Sequence, residues 1–88
     1  MFLLVLSPRF KKNLRSFLNK HPELEPVFKE KLDALVKNPQ HPSLKTHKLT
    51  GRLRNFLAAS ITYEYRLVFY VDKNNIFLLA IGTHDEVY

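Results

Sequence analysis

The sequence predicts a single α+β domain over residues 1–88: a small, mostly antiparallel four-stranded sheet with a two-helix hairpin packed on one face, in the order β-α-α-β-β-β. Three observations predict it. An apolar run opens the chain, two segments with apolar residues at helical spacing follow, and three β-favouring segments separated by turn signals close it. At 88 residues and 45% hydrophobic content, the chain can build one core but not two.

Phe2-Leu3-Leu4-Val5-Leu6 has no basic region ahead of it and no small-residue cleavage site behind it, so it reads as a buried first strand, not a signal peptide or membrane span. Ser7-Pro8 closes that strand and opens a helix, because a serine oxygen accepts from the free amides of the first turn and proline is pre-set for the first helical position. Phe10, Leu14, Phe17 and Leu18 then form one apolar stripe, which Asn19 to Pro22 interrupts. A second helix starts near Pro22 or Pro26, carries Val27, Phe28, Leu32, Leu35 and Val36 on one side, and ends at Asn38-Pro39. Residues 38–43 form an extended connector. Leu53 to Ile61 is β-favouring, and Tyr65 to Asp72 alternates Leu67, Phe69 and Val71 on one face with Arg66, Val68 and Tyr70 on the other. Lys73-Asn74-Asn75 is a turn, and Ile76 to Ile81 is a near-continuous apolar strand. With both helices on one face, the Arg66 and Tyr70 face is expected to be left for solvent or ligand.

The formal charge is +6 and is unevenly spread. Residues 37–66 carry six Lys/Arg (Lys37, Lys45, Lys48, Arg52, Arg54, Arg66) against Glu64 alone. Such a segment is either a solvated surface or a phosphate-facing one. The absence of cysteine excludes disulfides and thiolate metal sites and is compatible with a reducing compartment. The four histidines have no zinc-type spacing, and His21 and His41, beside prolines, read as exposed turn residues. Tyr63, Tyr65 and Tyr70 read as packing residues.

The closing Gly82-Thr83-His84-Asp85-Glu86-Val87-Tyr88 sets an imidazole and a phenol on a polar tail behind an apolar strand. RNA cleavage by its own 2′-hydroxyl needs a base for that proton, an acid for the leaving 5′-oxygen, and positive charge for the developing phosphorane. His84 suits the acid, since imidazole changes charge near neutral pH. Glu64 or His47 suits the base. Arg66 offers an always-charged fork matched to phosphate oxygens, while Lys45, Lys48, Arg52 and Arg54 could clamp neighbouring phosphates. Tyr88 could stack on a base or orient the scissile phosphate. The chemistry requires no metal or other cofactor. For Arg66 the plain alternative is a surface pair with Glu64 or Asp85, and for His47 an ordinary loop position.

His47-Lys48-Leu49-Thr50-Gly51, Tyr65-Arg66-Leu67-Val68-Phe69-Tyr70 and the closing heptapeptide together resemble the RelE/ParE superfamily of bacterial type II toxins, with its YafQ-like branch as the best match. The resemblance spans essentially the whole chain. It implies a cytoplasmic ribonuclease that cuts messenger RNA, typically in the ribosomal A site, and that is silenced by a tightly bound acidic antitoxin, with operator DNA reached only through that antitoxin. His47, His84 and Arg66 match family histidines and the family's strand arginine, and Tyr88 resembles the terminal aromatic residue. Ser60 stands where YafQ-like toxins carry a second histidine. Glu64 stands in place of an aspartate and resembles the glutamate of the YoeB-like branch. ParE-like members of the same fold inhibit gyrase and lack the histidine and tyrosine constellation, so a protein-binding toxin, or a degenerate toxin that binds only antitoxin and operator, remains the competing expectation.

Overall fold

The computed structural model describes residues 1–87. Strand β1 (Leu3–Leu6) leads into helix α1 (Pro8–Lys20), a 3₁₀ turn over Pro22–Leu24 and helix α2 (Glu25–Lys37). After a second 3₁₀ turn (Pro42–Leu44) come β2 (His47–Lys48), a third such turn (Gly51–Leu53), β3 (Leu57–Ser60), β4 (Tyr65–Asp72), β5 (Asn75–Thr83) and the short helix α3 (His84–Val87). No helix among the described residues is long and apolar enough to cross a membrane.

The helices start and stop as the sequence chemistry dictates. The Ser7 hydroxyl accepts from the Phe10 N–H at 3.1 Å, capping α1, and Pro8 occupies its first position. Helix α2 begins at Glu25 with Pro26 in its first turn and stops before Asn38. In place of the expected extended connector, the His41 N–H donates to the Asn38 carbonyl at 2.9 Å to close a turn that runs into the one over Pro42–Leu44. The helices bury Phe10, Phe17, Phe28 and Leu35 against Leu67, Phe69, Ile76, Leu78 and Ile81 of the sheet, which makes one main core.

The sheet corrects the expected four-stranded arrangement. It has five strands in the order β1-β5-β4-β3-β2 and is mixed: β1 runs parallel to β5, and the other three pairs are antiparallel. The additional strand, β2, is two exposed polar residues long, too short for any alternation to announce it. The expected strand over Leu53–Ile61 is regular only across Leu57–Ser60, because Gly51–Leu53 turns instead. At Gly51 φ is +67°, and nothing lies within 4 Å of where a Cβ would sit, so left-handed backbone and not space calls for glycine.

Strand β1 stops at Leu6, opposite Leu78, while β5 runs on to Thr83. The Asn13 side chain of α1 takes over there: its Oδ1 accepts from the Ile81 N–H at 2.9 Å and its Nδ2 donates to the Ile81 carbonyl at 3.3 Å. A carboxamide thus stands in for the missing strand's peptide group. Beside it, Val68 pairs with Ala80 and Phe69 with Leu78, which leaves Leu79 as a one-residue bulge.

The opposite face is not left bare, contrary to expectation. Leu49, Ala58 and Val68 are buried in a second small cluster covered by Leu53, Phe56, Ala80 and Val87. Beside it Tyr70 stacks on Phe77, ring centroids 4.6 Å apart, with Phe56 at 5.9 Å. Tyr65 packs on Phe17 and His21. Tyr65 and Tyr70 are therefore packing residues, whereas Tyr63 is 93% exposed and packs on little.

Candidate active site

The second cluster builds the floor of a groove. Strand β2 is held by its pairing to β3, His47 opposite Ala58 and Lys48 opposite Leu57. The Leu49 N–H donates to the Phe56 carbonyl at 3.1 Å and the Phe56 N–H to the Leu53 carbonyl at 2.9 Å, which cinches the intervening loop. On the other side α3 turns back over the end of β5 and seats Val87 in the same cluster. Between them opens a groove of about 720 Å³ with Leu49, Leu53 and Val87 as apolar lining and His47, Lys48, Thr50, Arg52 and His84 as polar lining.

Two imidazoles and two fixed cations, from segments far apart in sequence, therefore face one space. The His47 Nδ1 lies 3.2 Å from the Lys45 carbonyl, a contact that orients the ring. The His84 Nδ1 lies 3.6 Å from the Asp85 carboxylate on an exposed helix turn. His47 is thus a strand residue at a groove wall and not an ordinary loop position.

Arg66, Glu64, Arg54 and Lys45 are not among the groove's lining residues. Arg66 sits opposite Gly82 in the β4–β5 register, next to the start of α3. Its Nη1 donates to the Thr62 and Tyr63 carbonyls, each at 2.9 Å, and to the Ser60 hydroxyl at 3.3 Å. That arginine braces the β3–β4 connection and is paired with neither Glu64 nor Asp85. All of its hydrogen bonds to described residues come from Nη1, so Nη2 and Nε keep their donors for another acceptor. Ser60, where the resemblance would place a histidine, donates to the Thr62 carbonyl at 2.9 Å and completes the same brace. Glu64 is exposed in that connection, its N–H donating to the Thr62 hydroxyl at 3.3 Å. Tyr88 lies outside the described residues.

Sequence reasoning passed over the apolar floor and the support of α3. Thr83 and Glu86 exchange hydrogen bonds around His84, a pairing whose Thr-x-x-Glu signature is readable in the sequence. His21, expected as an exposed turn residue, is partly covered: its ring lies 5.2 Å from Phe17 and 4.9 Å from Tyr65, and its Nε2 is 3.3 Å from the Tyr65 hydroxyl. Burial, together with Glu64, Glu86 and Glu23, pushes the Tyr65 phenol above its ordinary value. Among the described residues no three His, Cys, Asp or Glu side chains gather as a metal ligand set.

Solved structures of small bacterial toxins share this architecture from end to end. A copper-bound mutant toxin from Helicobacter pylori is 28% identical, each chain covered completely, with a TM-score of 0.84. YafQ from E. coli is 17% identical over 100% of this chain and 99% of that one, TM-score 0.82. YoeB in the YoeB-YefM complex from Staphylococcus aureus is 24% identical over 96% and 98%, TM-score 0.76. No curated protein matches the sequence. Residues 3–88 match the family described as bacterial toxin of type II toxin-antitoxin system, YafQ, and the chain belongs to that family.

Proposed function

We propose that the chain is an endoribonuclease that cleaves messenger RNA, on the ribosome, by attack of the RNA's own 2′-hydroxyl. The observation that carries this reading is the groove lined by both His47 and His84 together with Lys48 and Arg52. One imidazole takes the 2′-hydroxyl proton and the other protonates the departing 5′-oxygen, so the attacking oxygen closes on phosphorus as the 5′-oxygen leaves with a proton. We assign His84 as the acid and His47 as the base, because His47 lines the groove and Glu64 does not. Lys48 and Arg52 neutralise the phosphates on either side. The unengaged edge of Arg66 is matched to a phosphate oxygen pair. Because the nucleophile is the substrate's own hydroxyl, no metal-activated water enters the reaction.

The S. aureus relative occurs in a YoeB-YefM toxin-antitoxin complex. By the same logic this chain is silenced by a cognate antitoxin, whose acidic segment would cover the basic residues 37–66.

The test is to incubate the pure protein with programmed ribosomes and with free RNA, beside His47→Ala and His84→Ala. Each variant should lose about 10²- to 10⁴-fold in cleavage rate while staying folded. Undiminished cleavage by both would put the chemistry elsewhere, and no cleavage by the parent would move the protein-binding reading ahead.

A further inference from the structure

We propose that Gly82, Thr83 and Glu86 form a built mount that positions the His84 imidazole, with Glu86 as its principal side chain; the catalytic consequence rests on the nuclease reading above. Helix α3 is four residues long, and a single turn has no stability of its own in water. Something outside helix propensity must hold it.

Three contacts do. The Thr83 N–H donates to Glu86 Oε1 at 2.8 Å, and the Glu86 N–H donates to the Thr83 hydroxyl at 3.3 Å. This reciprocal pair satisfies two otherwise unpaired amides at the helix start and closes a ring of hydrogen bonds around His84 and Asp85. Gly82 makes room for it: a Cβ there would lie 3.0 Å from Glu86 Oε1 and 3.1 Å from Glu86 Cβ, close enough that Glu86 would have to shift by a few tenths of an ångström. Val87, one residue on, is seated in the outer-face cluster.

Glu86 also faces the end of α1. It shares a cavity of about 70 Å³ with Lys20 and His21 at the end of α1, and both of those groups stabilise its charged form. His21 itself packs against both Phe17 and Tyr65, which also touch each other. Helix α3 is therefore held by the Thr83–Glu86 pair and by Val87 on the groove floor, with Glu86 beside the end of α1, and His84 is left among the groove-lining residues. Glu86 is not among the groove's lining residues. It is a positioning residue that acts through His84.

The test compares the parent with Glu86→Ala, Thr83→Val and Thr83→Ser, following the His84 imidazole resonance by NMR, assigned by its loss in His84→Ala. In Glu86→Ala and Thr83→Val that resonance should move to its random-coil position while that of His47 stays in place. Thr83→Ser should retain the parent shift, because it keeps the hydroxyl. On RNA, kcat should fall about 10- to 100-fold in the first two variants with KM little changed, the scale of a displaced catalytic group. Glu86→Ala added to His84→Ala should cost nothing more. An unmoved His84 resonance, or an equal further loss in the His84→Ala background, overturns the proposal. If the parent cuts no RNA, the nuclease reading falls while the resonance alone decides the positioning claim.

Discussion

Arg66 offers the sharpest separation of fold from chemistry. Its Nη1 binds the Thr62 and Tyr63 carbonyls and the Ser60 hydroxyl, so Arg66→Ala removes the donor that gathers the β3–β4 connection. A hydrogen bond from a charged group contributes about 1.5–3 kcal/mol. The site is half-buried and Tyr63 is exposed, so water can replace part of the loss, and the low end, about 1.5 kcal/mol, is the reasonable expectation. For a domain of this size that corresponds to a fall in Tm of about 6–12 °C. Arg66→Lys should recover part of it, because an ammonium can reach one of the carbonyls but cannot also keep a free planar edge. Thermal unfolding followed by circular dichroism measures the stability, and RNA cleavage well below the variant's Tm measures the chemistry. A variant that melts within about 1 °C of the parent would refute the bracing role. Full activity in a destabilised but folded Arg66→Ala would refute the phosphate contact.

Other consequences follow from particular contacts. Asn13→Ala strands both backbone groups of Ile81 and should cost about 1–3 kcal/mol, seen as a lower Tm and faster amide exchange at Ile81; unchanged exchange would contradict the stand-in role. Bonding to the Thr83 N–H, then to its hydroxyl, holds the Glu86 carboxyl below its ordinary value of 4.5, with Lys20 and His21 assisting and burial opposing. Because the folded value is the lower one, ionised Glu86 stabilises the fold fully above the ordinary value and loses that effect as pH falls through the folded value. The Tm difference between parent and Glu86→Gln should narrow on acidification, and a difference constant with pH would contradict the assignment. Association with an acidic antitoxin should slow as salt rises, because complementary charge acts mainly on the on-rate; a salt-independent on-rate would exclude the basic residues 37–66 as the docking surface.

Much of the scaffold was legible because its signals are local. The Ser7-Pro8 start of α1 and the alternation of Leu67, Phe69 and Val71 each follow from a few adjacent residues. What stayed hidden depends on partners distant in sequence. Strand β2 exists only because His47 and Lys48 meet Ala58 and Leu57. The outer-face cluster draws Leu49, Leu53, Phe56 and Val87 from segments with no shared period. The bulge at Leu79 lies in an apolar run where alternation carries no information. At the site, imidazole and guanidinium chemistry marked His47, His84 and Arg66 as candidates. That Arg66 spends one nitrogen on loop carbonyls, and that His21 packs against Tyr65, depend on where backbone lies in space. The Thr83 and Glu86 pairing was readable from its spacing, yet it gains meaning only once Gly82 is seen to lie beneath it.

The most direct measurement on the central claim is the chemistry of the RNA ends, mapped after cleavage in the presence of EDTA. Attack by the 2′-hydroxyl, with His47 and His84 moving the protons, leaves a 5′-hydroxyl on one fragment and a 2′,3′-cyclic phosphate, or the 3′-phosphate it hydrolyses to, on the other. Those ends, at an undiminished rate in chelator, are the predicted result. Fragments bearing 5′-phosphates, or activity that disappears with chelation, would mean an activated water or a metal ion performs the cleavage, and the groove between His47 and His84 would not be its site.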